Sequence, residues 1–280
     1  MSPLRDITNH VNCLVVTILI LIAAAYMPAG AATPFVHEVV DTTGDVGSYD
    51  TSLALDARGT PHISYNDYTN SDLKYAVKTG VSWSIETVDA TGNVGMYASL
   101  ALNAQGSPSI SYWDGTNSEL KYAVKAGVSW MVETVDATGS VGMFTSLALD
   151  NQGNPHVSYY DLINMDLKYA IKIGTSWTIA IVESAGDVRL ISSLPLDSGY
   201  NALLTSYDNT NGDLKYAVKT GAIWAIEIVD ATGIVGGENS LALDAQGNPH
   251  VSYYDATNRD LKYAVKTGGS WTIETVDATG

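Results

Sequence analysis

The sequence predicts an all-β fold made from one repeated unit, and three observations carry the prediction. Tryptophans stand 47 residues apart at Trp83, Trp130, Trp177, Trp224 and Trp271 (130 − 83 through to 271 − 224). A Ser-Leu-x-Leu landmark keeps step with them at Ser52, Ser99, Ser146, Ser193 and Ser240. Between the landmarks lie short alternating or β-branched runs bounded by Gly, Pro, Asn and Asp, the pattern of strands joined by hairpins. No segment holds a 3.6-residue period over a helical length. A period of about 40–50 residues belongs to propellers, solenoids or arrays. Four antiparallel strands per unit select a β-propeller. The expected blades cover approximately 51–89, 98–136, 145–183, 192–230 and 239–277. A β-solenoid is the alternative, but its coils are shorter and more regular.

Taken in order, the chain opens on Arg5 and a mostly apolar run from Cys13 to Met27, then Pro28-Ala29-Gly30-Ala31-Ala32. A charged start, an apolar middle and small residues before a cut describe a signal peptide over residues 1–32. The run is shorter than the roughly 20 residues that span a bilayer, so no membrane span is expected after cleavage. The expected location is secreted or extracytoplasmic. Cys13 is the sole cysteine, which leaves the repeats without disulfides or thiolate metal sites.

Phe35–Asp41 matches the fourth strand of a unit without its first three, and reads as a spare outer strand. With five complete blades beside it, the chain reads as a possible fragment of a larger ring. Within the fifth unit, Leu241 and Leu243 alternate with small residues, as the innermost strand requires. Gly247-Asn248-Pro249 turns the chain into His250–Tyr254. Asp255 to Asp260 turns it again into Leu261–Lys266, and Thr267-Gly268-Gly269 leads to Trp271–Asp277. Each inward leucine is worth roughly 1.5–3 kcal/mol when buried, so the ten landmark leucines are the expected core. The first copy carries one extra residue between Gly47 and Ser52. The fourth has drifted most, with Arg189, Pro195, Tyr200, Ala202 and Leu203 at altered positions.

The string Leu243-Asp244-x-x-Gly247-Asn248-Pro249-His250-Val251-Ser252-Tyr253-Tyr254-Asp255 resembles the repeats of secreted bacterial and archaeal β-propellers, including NHL-like, sialidase-like and fucose-lectin-like proteins. The likeness spans residues 35–280 and is specific for architecture; these propellers differ in activity. The sialidase-type Ser-x-Asp-x-Gly-x-x-Trp box is not reproduced.

Charge narrows the partners. With 14 basic against 30 acidic residues and a net charge of −16, the chain lacks the basic footprint of a nucleic-acid binder. Catalytic motifs are absent from the sequence. His37-Glu38-Val39-Val40-Asp41 has no second histidine for zinc, and Thr91-Gly92-Asn93-Val94-Gly95 lacks the lysine of a phosphate loop. His62, His156 and His250 share one repeat position with Ser109 and Leu203, and read as structural residues beside a hairpin. The turns Asp67/Asn70/Asp72, Asp161/Asn164/Asp166, Asp208/Asn211/Asp213 and Asp255/Asn258/Asp260 read first as turn chemistry. Calcium is their second use; no other cofactor is expected.

One constellation points to a ligand. An aromatic followed by aspartate closes the second strand in four units: Trp113-Asp114, Tyr160-Asp161, Tyr207-Asp208 and Tyr254-Asp255; the first has Asn66-Asp67. A flat ring beside an acceptor suits a sugar, and repetition adds avidity. The bland use of these rings is packing between blades. The sequence thus reads as a non-enzymatic binding module for a glycan or protein partner. A propeller enzyme of glycosidase or lyase type is the alternative.

Overall fold

The computed structural model describes residues 37–189 and 193–279. The expected signal segment and Phe35 lie outside them. The chain divides into two units, Met1–Val39 and Val40–Gly280. The described residues of the first, 37–39, have no regular structure.

The second unit is all-β: five four-stranded antiparallel sheets, each in sequence order. Blade one holds β1 (Val46–Leu55), β2 (Pro61–Asp67), β3 (Asp72–Thr79) and β4 (Ser82–Asp89). Blade two holds β5 (Val94–Leu102), β6 (Pro108–Asp114), β7 (Glu119–Ala126) and β8 (Ser129–Asp136). Blade three holds β9 (Val141–Leu149), β10 (Pro155–Asp161), β11 (Asp166–Ile173) and β12 (Ser176–Glu183). Blade four holds β13 (Val188–Arg189), β14 (Leu203–Asp208), β15 (Asp213–Thr220) and β16 (Ile223–Asp230). Blade five holds β17 (Val235–Leu243), β18 (Pro249–Asp255), β19 (Asp260–Thr267) and β20 (Ser270–Asp277).

The second, third and fourth strands fall close to where the turn residues predict them. The first strand starts earlier. In blade two, Val94 pairs with Asp114, Met96 with Trp113 and Ser99 with Ser111, so extra residues are taken up between these pairs. Gly95 and Tyr97, at φ of 93° and 55°, absorb them as bulges. A stretch that reads as a blade-to-blade loop is therefore strand. In blade four the described part of the first strand is β13, Val188–Arg189, with an isolated bridge between Leu196 and Ala202 further on. Pro195 has no N–H to give the ladder.

Residues 37–41 are not a strand, which corrects that part of the expected outer strand; no strand order places them in a sheet. Asp41 nonetheless keeps the role of its repeat position, accepting the Tyr65 hydroxyl at 2.8 Å.

The core lies between blades. Leu73, Tyr75 and Val88 of blade one pack with Val94, Leu100 and Ile110 of blade two, and the same set recurs at the following interfaces. Of the landmark leucines, Leu100, Leu147, Leu194 and Leu241 are buried, whereas Leu53 and Leu55 are 64% and 62% exposed. These two stand on the face of blade one that no other blade covers.

The first strands are innermost and touch one another. Ser52 Oγ accepts from Leu100 N at 3.0 Å, and Ser99 Oγ from Leu147 N at 3.1 Å.

Candidate functional site

Because the strands alternate in direction, the start of the first, the turn between second and third, and the end of the fourth share one face. The predicted site residues gather there. The structure splits each aromatic–aspartate pair into two different jobs.

The aspartates are consumed by the fold. Asp114 Oδ1 accepts from Thr116 N and Asn117 N at 3.0 Å each; its Oδ2 takes Asn117 Nδ2 at 2.9 Å and Lys121 Nζ at 3.0 Å. Asp161, Asp208 and Asp255 repeat this, with Lys168 at 3.4 Å, Lys215 at 2.7 Å and Lys262 at 3.4 Å. All four are buried. Burial pushes their carboxyls up, but hydrogen bonds from the following asparagine and the lysine outweigh it, so each is held below the usual carboxylate range. Their oxygens are thus turned onto the turn and the lysine. The same geometry accounts for the Asp-x-x-Asn turns without a cation.

The lysine also reaches back one blade. Lys168 and Lys262 lie 2.8 Å from Asp136 and Asp230, the last residues of the preceding fourth strands. The same carboxylates accept the hydroxyls of Tyr159 and Tyr253 at 2.7 and 2.8 Å, as Asp89 does from Tyr112 at 2.7 Å. These phenols are pushed well above their ordinary range, by burial first and by the carboxylate second. The drifted interface between blades three and four has changed on both sides: Glu183 replaces the aspartate and Ser206 the tyrosine. The longer acid pairs directly with Lys215.

Further out, Glu86 takes Lys125 Nζ at 2.5 Å and Trp130 Nε1 at 2.9 Å. Glu133 and Glu227 do the same for Lys172 with Trp177 and Lys266 with Trp271. Ala180 stands at the fourth such position; Lys219 turns to the Gly221 carbonyl, and the buried Trp224 Nε1 has no partner.

The aromatics are graded in exposure. Tyr160 is buried and donates its hydroxyl to Asp187 Oδ1 at 2.9 Å. Trp113 and Tyr207 are half-buried, and Tyr254 is 41% exposed. Asn66, their counterpart in blade one, is buried and bonds the Val94 carbonyl at 3.0 Å. Packing between blades thus claims Tyr160 and Asn66, while Trp113 and Tyr207 keep part of their ring surface. Tyr254 is exposed together with Ser252 and Leu261, on a face of blade five that no following blade covers among the described residues.

Two aromatics escape sequence reasoning. Tyr97 and Phe144 sit on the first-strand bulges at φ of 55° and 53°, with ring centroids 4.7 Å apart. Tyr97 lies 6.1 Å from the Trp113 ring and Phe144 6.3 Å from Tyr160. Comparison between the copies points to them, because the bulge is one of the stretches where the repeats differ most.

The histidines are structural. His62 Nδ1 lies 2.5 Å from the Tyr75 hydroxyl and His156 Nδ1 2.6 Å from that of Tyr169; His250 meets Tyr263 likewise. Burial depresses His62 and His156 below the ordinary imidazole value. Among the described residues no group of three or more His, Cys, Asp or Glu is placed to hold a metal ion.

No known protein family matches this chain, and no curated protein does. Solved structures match its fold. A lectin from Aleuria aurantia in complex with Fucα1-6GlcNAc is 14% identical, with a TM-score of 0.52 over 82% of this chain and 78% of that one. An ulvan lyase bound to a GlcA(1-4)Rha3S unit is 14% identical, with a TM-score of 0.54 over 81% and 71%. A Hadza microbial sialidase is 13% identical, with a TM-score of 0.52 over 82% and 58%. At these identities the likeness is one of architecture: repeated four-stranded propeller blades.

Proposed function

We propose that the protein is an exported, non-enzymatic binding module that takes a glycan on the face where Trp113, Tyr207 and Tyr254 stand. The observation that carries this reading is the partial exposure of Trp113 and Tyr207, which neighbouring blades flank, at one repeat position beside aspartates fixed by the fold. An accessible ring on a rigid strand end offers stacking surface at little entropic cost. The fucose-binding lectin of the same fold supports the choice of a sugar.

The acids argue for binding over turnover. A general acid needs a carboxyl raised toward the working pH, yet Asp114, Asp136, Asp161, Asp208, Asp230 and Asp255 are all lowered. Asp72 and Asp166 are raised, chiefly by burial. A glycosidase or lyase reading would have to use them.

A glycan array on the mature protein tests the proposal. Binding that weakens at least tenfold in Trp113→Ala and Tyr254→Ala is the expected result. Silence across sugars sinks it, and so does turnover of a bound glycan that disappears in Asp166→Asn.

A further inference from the structure

The repeats agree closely on both sides of the first-strand bulge and disagree within it. Val-Gly, Val-Arg in the fourth copy, precedes it, and Ser-Leu-x-Leu follows. Between them stand Met96-Tyr97-Ala98, Met143-Phe144-Thr145, Leu190-Ile191-Ser192 and Gly237-Glu238-Asn239, with Ser48-Tyr49-Asp50-Thr51 in the longer first copy. The copies also diverge in the turn after the second strand, at Tyr68, Gly115, Leu162, Asn209 and Ala256, which lies on the same face as the bulge. In a near-identical array, divergence gathered at one end of the blades marks where the copies differ in task.

Unconstrained drift does not explain the residues found. Tyr97, Phe144 and Glu238 all adopt positive φ, which costs an L-residue roughly 1–2 kcal/mol and a glycine nothing. Such strain persists where the surroundings over-determine the backbone, and it clusters at ligand sites. Here the Thr145 hydroxyl donates to the Tyr97 carbonyl at 2.8 Å, tying one bulge to the next. Phe144 packs against the cluster between blades three and four, but both rings are only partly buried, so core packing repays the strain only in part. They stand on first strands, which contact one another from blade to blade.

We infer that Tyr97 and Phe144 form a stacking platform for a neutral sugar ring, and that the bulge tripeptide sets specificity from blade to blade. This inference rests on the glycan reading and names the sugar class and the site. A neutral ring is chosen because the chain carries a net charge of −16, and the two charged residues of the bulges, Asp50 and Glu238, are both acidic; both features repel uronates and sialates.

The test is calorimetric titration of the full chain with neutral mono- and oligosaccharides, alongside the double variant Tyr97→Gly/Phe144→Gly. Glycine accepts the positive φ, so the variant is expected to melt no lower than the parent and to bind at least tenfold more weakly. Undiminished sugar binding in the double variant overturns this inference and leaves the glycan reading standing. A large drop in melting temperature makes the rings core packing and overturns it equally. If the intact chain binds no neutral sugar, both readings fall.

Discussion

Replacing Ala180 by Glu should rebuild a missing contact between blades three and four. Ala180 pairs with Tyr169 in the register that places Glu133 opposite Tyr122, so the new carboxylate starts from the right backbone position. It would meet Trp224 Nε1, now buried without a partner, and Lys219. Satisfying the indole is worth about 1–3 kcal/mol. The lysine adds little, because its counterparts pair with glutamates that are 31–38% exposed and exposed pairs give about 0–1 kcal/mol. Ordering a glutamate side chain costs about 1–2 kcal/mol. The net gain should be about 1 kcal/mol, or about 2–4 °C in Tm for a domain of this size. Urea and thermal unfolding measure it, and the Trp224 indole proton should shift downfield in NMR spectra. Ala180→Gln, which supplies the acceptor without charge, should recover most of the gain, and Glu133→Ala should lose a similar amount. Glu133→Ala costing 1 kcal/mol while Ala180→Glu gains nothing would refute the reasoning.

Ser64 Oγ is buried without a partner, whereas Ser111 Oγ meets Thr145 Oγ1 at 2.8 Å; Ala98→Thr should supply the missing hydroxyl and raise stability by about 1 kcal/mol, read by urea unfolding. Gly142→Ala places a Cβ 2.7 Å from Leu120 Cα at φ of 102°, while Gly127, at φ of 65°, has open space around it. The first alanine should destabilise by several kcal/mol and the second by about 1, so equal melting shifts would contradict the close approach. Stability should fall in acid in two windows. Burial holds His62 and His156 below the ordinary value, so the unfolded chain takes up protons first, and stability drops as pH falls below about 6.5. Asp56 beside His62 and Asp150 beside His156 oppose this, while Lys125 and Lys219 add to it. The depressed carboxylates add a further loss below about pH 4. Urea midpoints from pH 8 to 3 check this, and His156→Gln should flatten the upper window.

Turn chemistry made most of the fold legible in the sequence. Gly, Asn, Asp and Pro mark the hairpins that bound the second to fourth strands, and those strands lie near where they are expected. The beginning of the first strand is hidden, because a bulge with glycine and three varying residues has the composition of a loop. Pairing between Val94 and Asp114 depends on tertiary register that no local pattern carries. The candidate site was half legible. Asp255 reads as a ligand acceptor because the same residue serves turns and sugars alike. What decides its job is Lys262, seven places on and folded back across a hairpin. That lysine recurs behind every such aspartate, so the signal was present but needed the antiparallel geometry to interpret. Tyr97 and Phe144 look like loop hydrophobes until their backbone angles are known.

The carboxylate contacts between blades run one way. The outer strand of each blade offers Asp and Glu oxygens, and the next blade answers with tyrosine, lysine and tryptophan donors. Such a joint has a head and a tail, so any unit copied in frame arrives with a compatible socket on each side. Heritable change is then constrained across joints and not within blades. The joint between blades three and four is altered on both sides, with Glu183 in place of aspartate in one blade and Ser206 in place of tyrosine in the next.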